Sequence, residues 1–176
     1  LDREMTAFAK AHRLRYTRYA DDITFSSYVY PAALFDGSVP ESGHVPLDAV
    51  SAELRAIVTG NNFQINAAKT RYAGIKARKE VTGLVVNEFT NVRRTFVRNL
   101  RAALFKVERL GVLEAERQFK AKYKDGDHTL GQLLRGRLEW IAQVRGRSFA
   151  PYRTLGMRYN QLYPERAVPI EPTHEE

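Results

Sequence analysis

The sequence predicts an α+β protein, a strand-rich first half with packed helices followed by a helical second half. Three observations predict it. Short runs rich in Tyr, Thr, Ile and Phe occur before residue 91, whereas after it the apolar residues recur with a period of about 3.6. Pro, Gly and Ser gather between Tyr30 and Val45, where a loop interrupts the first half. The positive charge is concentrated in the helical half, where residues 93–147 carry 14 Lys and Arg against 6 Asp and Glu.

Taken in order, residues 1–13 place Leu1, Met5, Phe8 and Ala9 in phase and read as an amphipathic helix already under way. Residues 15–19 and 23–27 read as two strands joined at Ala20-Asp21-Asp22, a β-hairpin. After the loop, "PLDAVSAELRAIV" resumes helical spacing at Leu47, Val50, Leu54 and Ile57, and Gly60 with Asn61 stops it. "FQI" (63–65) and "EVTGLVVN" (80–87) are further strands, separated by a connection bearing Lys69, Arg71, Lys76, Arg78 and Lys79. A helix over roughly 92–110 sets Phe96, Leu100, Leu104 and Val107 on one side. Arg94, Arg98, Arg101 and Arg109 fall on the other, with Phe105 among them. "LGQLLRGRLEWIAQV" and "YRTLGMRYNQLY" are later helices, and Trp140 reads as core. The proline-rich, acidic end, "PERAVPIEPTHEE", is expected to fray. The expected divisions are 1–91, 92–165 and a flexible tail over 166–176.

Composition narrows the function classes. With 44% apolar and 11% aromatic residues a real core can form. No cysteine is present, which excludes disulfides and thiolate metal sites and fits a reducing compartment. No stretch approaches membrane-spanning length, and "LDREMTAFAKAHR" has the wrong charge pattern for a secretory signal, so a cytoplasmic protein without a membrane partner is expected. The net charge is +8 over the chain. Its confinement to 93–147 is the footprint of a polyanion partner, the plainer reading being a solvated helix face. An arginine stripe interleaved with Phe105 suits a sugar-phosphate backbone, unless Phe105 packs on a neighbouring helix.

Asp21 and Asp22 repel one another, which makes them a poor choice for a purely structural turn. Mg²⁺ removes the difficulty, because it takes hard oxygen ligands and shares its octahedron between one or two carboxylates and substrate phosphates. Aspartate is also common in turns for its own hydrogen bonds, so the pair alone does not decide between these readings.

The wider wording does more. "LRYTRYADDITFSS", "NNFQINAAKTRY", "VTGLVVN" and a basic helix follow one another in the order found in reverse transcriptases. The chain resembles most the bacterial retron-type enzymes, kin of the group II intron enzymes. The resemblance covers nearly the whole chain but only the C-terminal part of the family's architecture. It implies an incomplete polymerase palm carrying a YADD hairpin over 1–91, followed by an α-helical thumb. Tyr19-Ala20-Asp21-Asp22 matches the YxDD motif, which implies Asp21 as principal metal ligand, Asp22 as its support, and Tyr19 and Ala20 beside the primer terminus. Two Mg²⁺ ions, or Mn²⁺, would serve nucleotidyl transfer. Lys69 matches the lysine that approaches the incoming nucleotide's phosphates; the plainer alternative is a surface lysine ending a strand. "VTGLVVN" resembles both a primer-grip strand and the Val-Thr-Gly signature of retron enzymes. That nominates Val81 and Thr82 for RNA recognition, and Gly83 and Leu84 for the primer backbone, unless Gly83 only marks a bulge. Arg94, Arg98, Arg101, Phe105 and Arg109 would hold template-primer or the enzyme's own RNA.

The implied partners are an RNA template, the RNA–DNA duplex, deoxynucleotides and a retron effector protein, with a role in antiviral defence. The family's fingers, first palm strand and third carboxylate have no counterpart in these residues. Asp2, Asp36 and Asp48 lie outside strand-like contexts. The chain therefore reads as half of a reverse transcriptase, part of a longer polypeptide or of a split enzyme, completed by a fingers-and-palm segment or second chain. Two other classes remain open: an RNA-binding thumb module, and an assembly surface using the loop over 30–45.

Overall fold

The computed structural model describes residues 1–123 and 128–171, and the chain divides between Thr82 and Gly83 into two units. In the first unit, helix α1 (Asp2–Ala11) buries Met5, Phe8 and Ala9. It ends with Arg13 at φ +55° and the Leu14 N–H donating to the Ala9 carbonyl at 2.8 Å, a left-handed cap that turns the chain into a strand. Strands β1 (Arg15–Tyr19) and β2 (Asp22–Ser26) pair antiparallel, with Tyr16 opposite Phe25 and Arg18 opposite Ile23. Alternation along the strands then puts Tyr16, Ile23 and Phe25 on the face that packs against the core. Phe25 meets Phe8 edge-on with centroids 5.9 Å apart. On the opposite face Arg15, Thr17, Tyr19 and Asp22 are exposed.

Helix α2 (Ala52–Gly60) starts at Ser51, whose hydroxyl accepts from the Leu54 N–H, and adds Leu54 and Val58 to this core. Its end differs from expectation. Gly60 is the last helical residue, and the stop is made by Asn62 at φ +60°. The Asn62 N–H bonds to the Thr59 carbonyl and the Phe63 N–H to that of Val58, the two bonds of a Schellman motif. "FQI" therefore leaves a helix cap and forms no strand. The pairing lies instead between β3 (Gly43–His44) and β4 (Arg71–Tyr72), two residues each, in segments expected to be loop. The loop over 30–45 is also held: Asp36 accepts from the Ala52 N–H and from Arg55, and the Ser51 N–H donates to the Leu34 carbonyl. The expected strand over 80–87 is broken into β5 (Glu80–Val81) and β6 (Leu84–Val85) by a turn at Thr82 and Gly83. Among the described residues the sheets are small and two-stranded.

The second unit is built on α3 (Arg94–Leu110), α4 (Val112–Lys122), α5 (Leu130–Arg145) and α6 (Ala150–Leu162). Leu100, Leu104, Val107, Leu134, Leu138, Ile141, Tyr152 and Tyr159 are completely buried in it. Gly111 at φ +78° joins α3 directly to α4. The start of α5 is capped twice. Thr129 and Gln132 form a capping box, while Glu116 of α4 accepts from the Leu130 and Gly131 N–H groups at 2.8 and 2.9 Å. Trp140 is 41% exposed, against the expectation of a core residue. It lies out of phase with Leu134, Leu138 and Ile141, which occupy the inner stripe. The proline-rich end packs on the core up to Ile170 where fraying was expected. The Asn160 side chain bonds both the N–H and the carbonyl of the buried Val168, and the Tyr152 hydroxyl donates to the Pro169 carbonyl. Residues 172–176 of that segment lie outside the described residues. Among the described residues no helix is long and apolar enough to cross a membrane.

Candidate functional site

The hairpin register closes at Tyr19 opposite Asp22, so the turn consists of Ala20 and Asp21 alone. Asp22, expected in the turn, is the first residue of β2. Pairing puts its side chain on the exposed face with Tyr19 and Thr17, while Ile23 points the other way, toward the core. Of the two turn residues only Ala20 has positive φ, +52°, the pattern of a type II′ turn in which glycine is usual. The hairpin thus holds a non-glycine residue in sparsely populated backbone space at the tip that bears the aspartates.

Asp21 and Asp22 are exposed, and neither has a hydrogen-bond or ion-pair partner among the described residues. Both carboxylates are free to bind something else, which fits the carboxylate share of a Mg²⁺ shell. Two other aspartates of this unit are committed. Asp2 accepts from the Tyr16 hydroxyl at 2.6 Å and from Arg18 at 2.7 Å, and Asp36 holds Ala52 and Arg55. The Tyr16 hydrogen bond, then the Arg18 charge, keep the Asp2 carboxyl below its ordinary value, while burial and Asp2 push Tyr16 up to about 12. Among the described residues no three His, Cys, Asp or Glu side chains gather closely enough to hold a metal ion.

Lys69 ends a 3-10 turn (Ala67–Lys69) and is exposed in the same unit as the hairpin. The turn is fixed by the Thr70 hydroxyl on the Asn66 carbonyl and by the Val45 N–H on that of Thr70. Tyr19, Ala20, Asp21 and Asp22 lie together at the hairpin tip, and among the described residues Lys69 makes no hydrogen bond or ion pair with either aspartate. Val81, Thr82, Gly83 and Leu84 form the turn between β5 and β6. Thr82 has φ +48° and Gly83 φ +83°, the double positive φ of a type I′ turn. A Cβ at Gly83 would meet no atom of this chain within 4 Å, so within the protein the positive φ rather than close packing accounts for the glycine.

On α3 the two faces fall as the period predicts. Arg94, Arg98, Arg101 and Arg109 are exposed, and Phe105 is 54% exposed. The Arg109 guanidinium lies 5.9 Å from the Phe105 ring centre. Sequence reasoning missed Arg158 of α6, which joins this face. It donates from Nε and Nη2 to the two carboxylate oxygens of Glu108, both at 2.7 Å, and holds the Glu108 carboxyl below its ordinary value. The pair links two helices far apart in sequence, so no local pattern could have shown it.

No protein-family model matches the chain. Retron Mx162 reverse transcriptase of Myxococcus xanthus is 34% identical to it over 110 residues, which is 59% of this chain and 22% of that protein. Retron Mx65 reverse transcriptase of the same bacterium is 32% identical over 117 residues, 66% of this chain and 24% of that protein. The matched stretch thus spans about a quarter of the length of these relatives. Over that stretch the chain is homologous to retron reverse transcriptases, the enzymes that its YADD hairpin and Val-Thr-Gly segment resemble.

Proposed function

We propose that this chain is the C-terminal part of an RNA-directed DNA polymerase of the retron type, the second half of a palm over 1–91 followed by a helical thumb over 92–165, making cDNA of the msDNA kind. One observation carries the reading: two adjacent, uncommitted carboxylates stand on the open face of a hairpin tip, in a chain homologous to retron reverse transcriptases. Asp21 and Asp22 hold Mg²⁺, or Mn²⁺, with a third carboxylate supplied by a fingers-and-palm segment outside this sequence or by a second chain. When bound, the two ions lower the barrier to attack by a primer hydroxyl and to departure of pyrophosphate. Tyr19, 72% exposed beside the aspartates, gives the primer terminus an aromatic surface, and Ala20 lies beside that terminus. Lys69 neutralises phosphate charge on the incoming deoxynucleotide. Gly83 and Leu84 border the primer backbone, Val81 and Thr82 the RNA, and the α3 arginines hold template-primer.

The test is primer extension on an RNA template with Mg²⁺, the chain being combined with a separately supplied fingers-and-palm segment. Asp21→Asn is expected to abolish incorporation and leave RNA binding unchanged. Extension that survives the substitution removes Asp21 from metal binding. A second reading, an RNA-binding module with no catalysis of its own, draws on the lack of a three-carboxylate cluster among the described residues. Salt-dependent RNA binding without extension in any combination would favour it.

A further inference from the structure

Between α3 and α6 lies a shallow depression of about 360 Å³, lined by Arg98, Arg101, Ala102, Phe105 and Arg158. We infer that it is a subsite for one unpaired nucleotide of an RNA strand, its base on Phe105 and its phosphates on Arg98 and Arg101. The inference rests on the reading that α3 faces nucleic acid, and names what that face prefers.

Residues 98, 101, 102 and 105 fall three and four apart, so they share one stripe of α3, and Ala102 leaves a gap between three long side chains. Arg98 and Arg101 have no protein acceptor among the described residues. Arg158 is different. Glu108 takes its Nε and Nη2, which offsets its charge and fixes the guanidinium plane, while Nη1 has no acceptor among the described residues. The lining therefore combines two free cations, one oriented planar donor and an aromatic ring that is half exposed although the unit has a closed core to receive such rings.

Charge alone does not choose between paired and unpaired RNA, because both present phosphates. The ring does choose. In a duplex the base faces are consumed by stacking on one another, and a phenyl group at the floor of a depression gains nothing from them. An unpaired base has a free face, and stacking it on an aromatic side chain contributes severalfold to more than tenfold in affinity. The gap at Ala102 gives that base room beside the ring.

The experiment measures binding of this chain, by fluorescence anisotropy at several salt concentrations, to a labelled RNA hairpin with an unpaired loop and to a blunt duplex with the same stem. Phe105→Ala is expected to weaken loop binding about tenfold with duplex binding unchanged, and Phe105→Tyr to retain it. Ala102→Leu, which fills the depression and keeps every charge, should act on the loop RNA in the same direction. Arg98→Gln should weaken both RNAs and reduce the salt slope by about 1. Equal weakening of both RNAs by Phe105→Ala and Ala102→Leu overturns the subsite and leaves a duplex-tracking stripe. Competition by free deoxynucleotides at concentrations that leave the duplex complex intact overturns the assignment to a strand. Absence of salt-dependent binding to either RNA overturns the nucleic-acid reading of α3 together with the subsite.

Discussion

Backbone strain is distributed unevenly between the two units. Among the described residues, the non-glycine residues with positive φ, Arg13, Ala20, Asn62 and Thr82, all belong to the first unit, whereas the positive-φ residues of the second are Gly83, Gly111 and Gly146. The second unit turns its corners with the residue that tolerates them and closes a helical core behind an exposed cationic face. In the first, a smaller core supports a hairpin with one open face, and strained residues mark the ends of α1 and α2 and the tip that carries the aspartates. Strain of this kind persists only where surrounding structure enforces it, and it gathers at sites whose geometry matters more than their stability. The candidate chemistry thus sits on the more strained unit, and the candidate binding face on the better packed one.

The largest expected effect tests the packing side of that contrast. Leu104 and Met5 are both fully buried, one in each core. Leu104→Ala is expected to cost about 2–5 kcal/mol, because Leu100, Val107 and the facing helices cannot collapse into the cavity. Met5→Ala should lie at the lower end of that range, since its core is smaller and residues packed against that core, such as Leu1, Tyr16 and Phe25, are only partly buried and free to relax. Urea denaturation of the two variants measures both. Equal losses would mean that the cores differ in size but not in closure.

A smaller effect concerns the hydrogen bond that ties α1 to β1. Tyr16 is raised from 10.0 to about 12 by burial and by donation to Asp2. A raised group stabilises the fold fully below its ordinary value, and the contribution is lost as pH rises from 10 through about 12. Asp2 is lowered, so its contribution is present above its ordinary 3.8 and lost as pH falls below it. The difference in stability between the parent and Tyr16→Phe should therefore be constant from neutral pH to 10 and shrink above it. A difference that stays constant to pH 12 would show that the Tyr16–Asp2 bond is not what anchors the hairpin.

How much of this was legible in the residues depended on whether the deciding interaction was local. The two faces of α3 were, because a helical period is a local property and Leu100, Leu104 and Val107 announce the buried side. So was the hairpin, although the turn proved one residue shorter: Asp22 pairs with Tyr19, and a polar residue at a strand end looks like a turn residue. Trp140 reads as core by residue type, but its phase on α5 sets it outside the stripe of Leu134, Leu138 and Ile141. "FQI" was misread because three apolar-alternating residues resemble a strand, whereas the Phe63 N–H was already committed to capping α2. The pairing of β3 with β4, the Glu108–Arg158 link and the Asn160 clamp on Val168 join segments distant in sequence, and no local pattern records them. In the candidate site, the YADD wording was legible through family resemblance, but the strain at Ala20 and the freedom of both carboxylates required coordinates.

The smallest effect is the one that speaks most directly to the uneven strain. Ala20→Gly removes a left-handed penalty of about 1–2 kcal/mol but gives back up to about 1 kcal/mol through the greater freedom of glycine in the unfolded chain. A net gain of about 0–1.5 kcal/mol is expected from these two terms. In the second unit the reverse exchange, Gly111→Ala, should lose about 1–3 kcal/mol, because φ +78° with ψ 154° is backbone space confined essentially to glycine and a Cβ there would meet nothing within 4 Å that could compensate. Thermal unfolding of both variants compares the signs. Opposite signs would establish that the hairpin tip is held against its own preference while the α3–α4 corner is not. Primer extension by Ala20→Gly, with the fingers-and-palm segment supplied, then asks what the strain is for: a more stable hairpin that extends more slowly would tie the left-handed alanine to the placement of Asp21, and unchanged extension would leave it a matter of turn geometry alone.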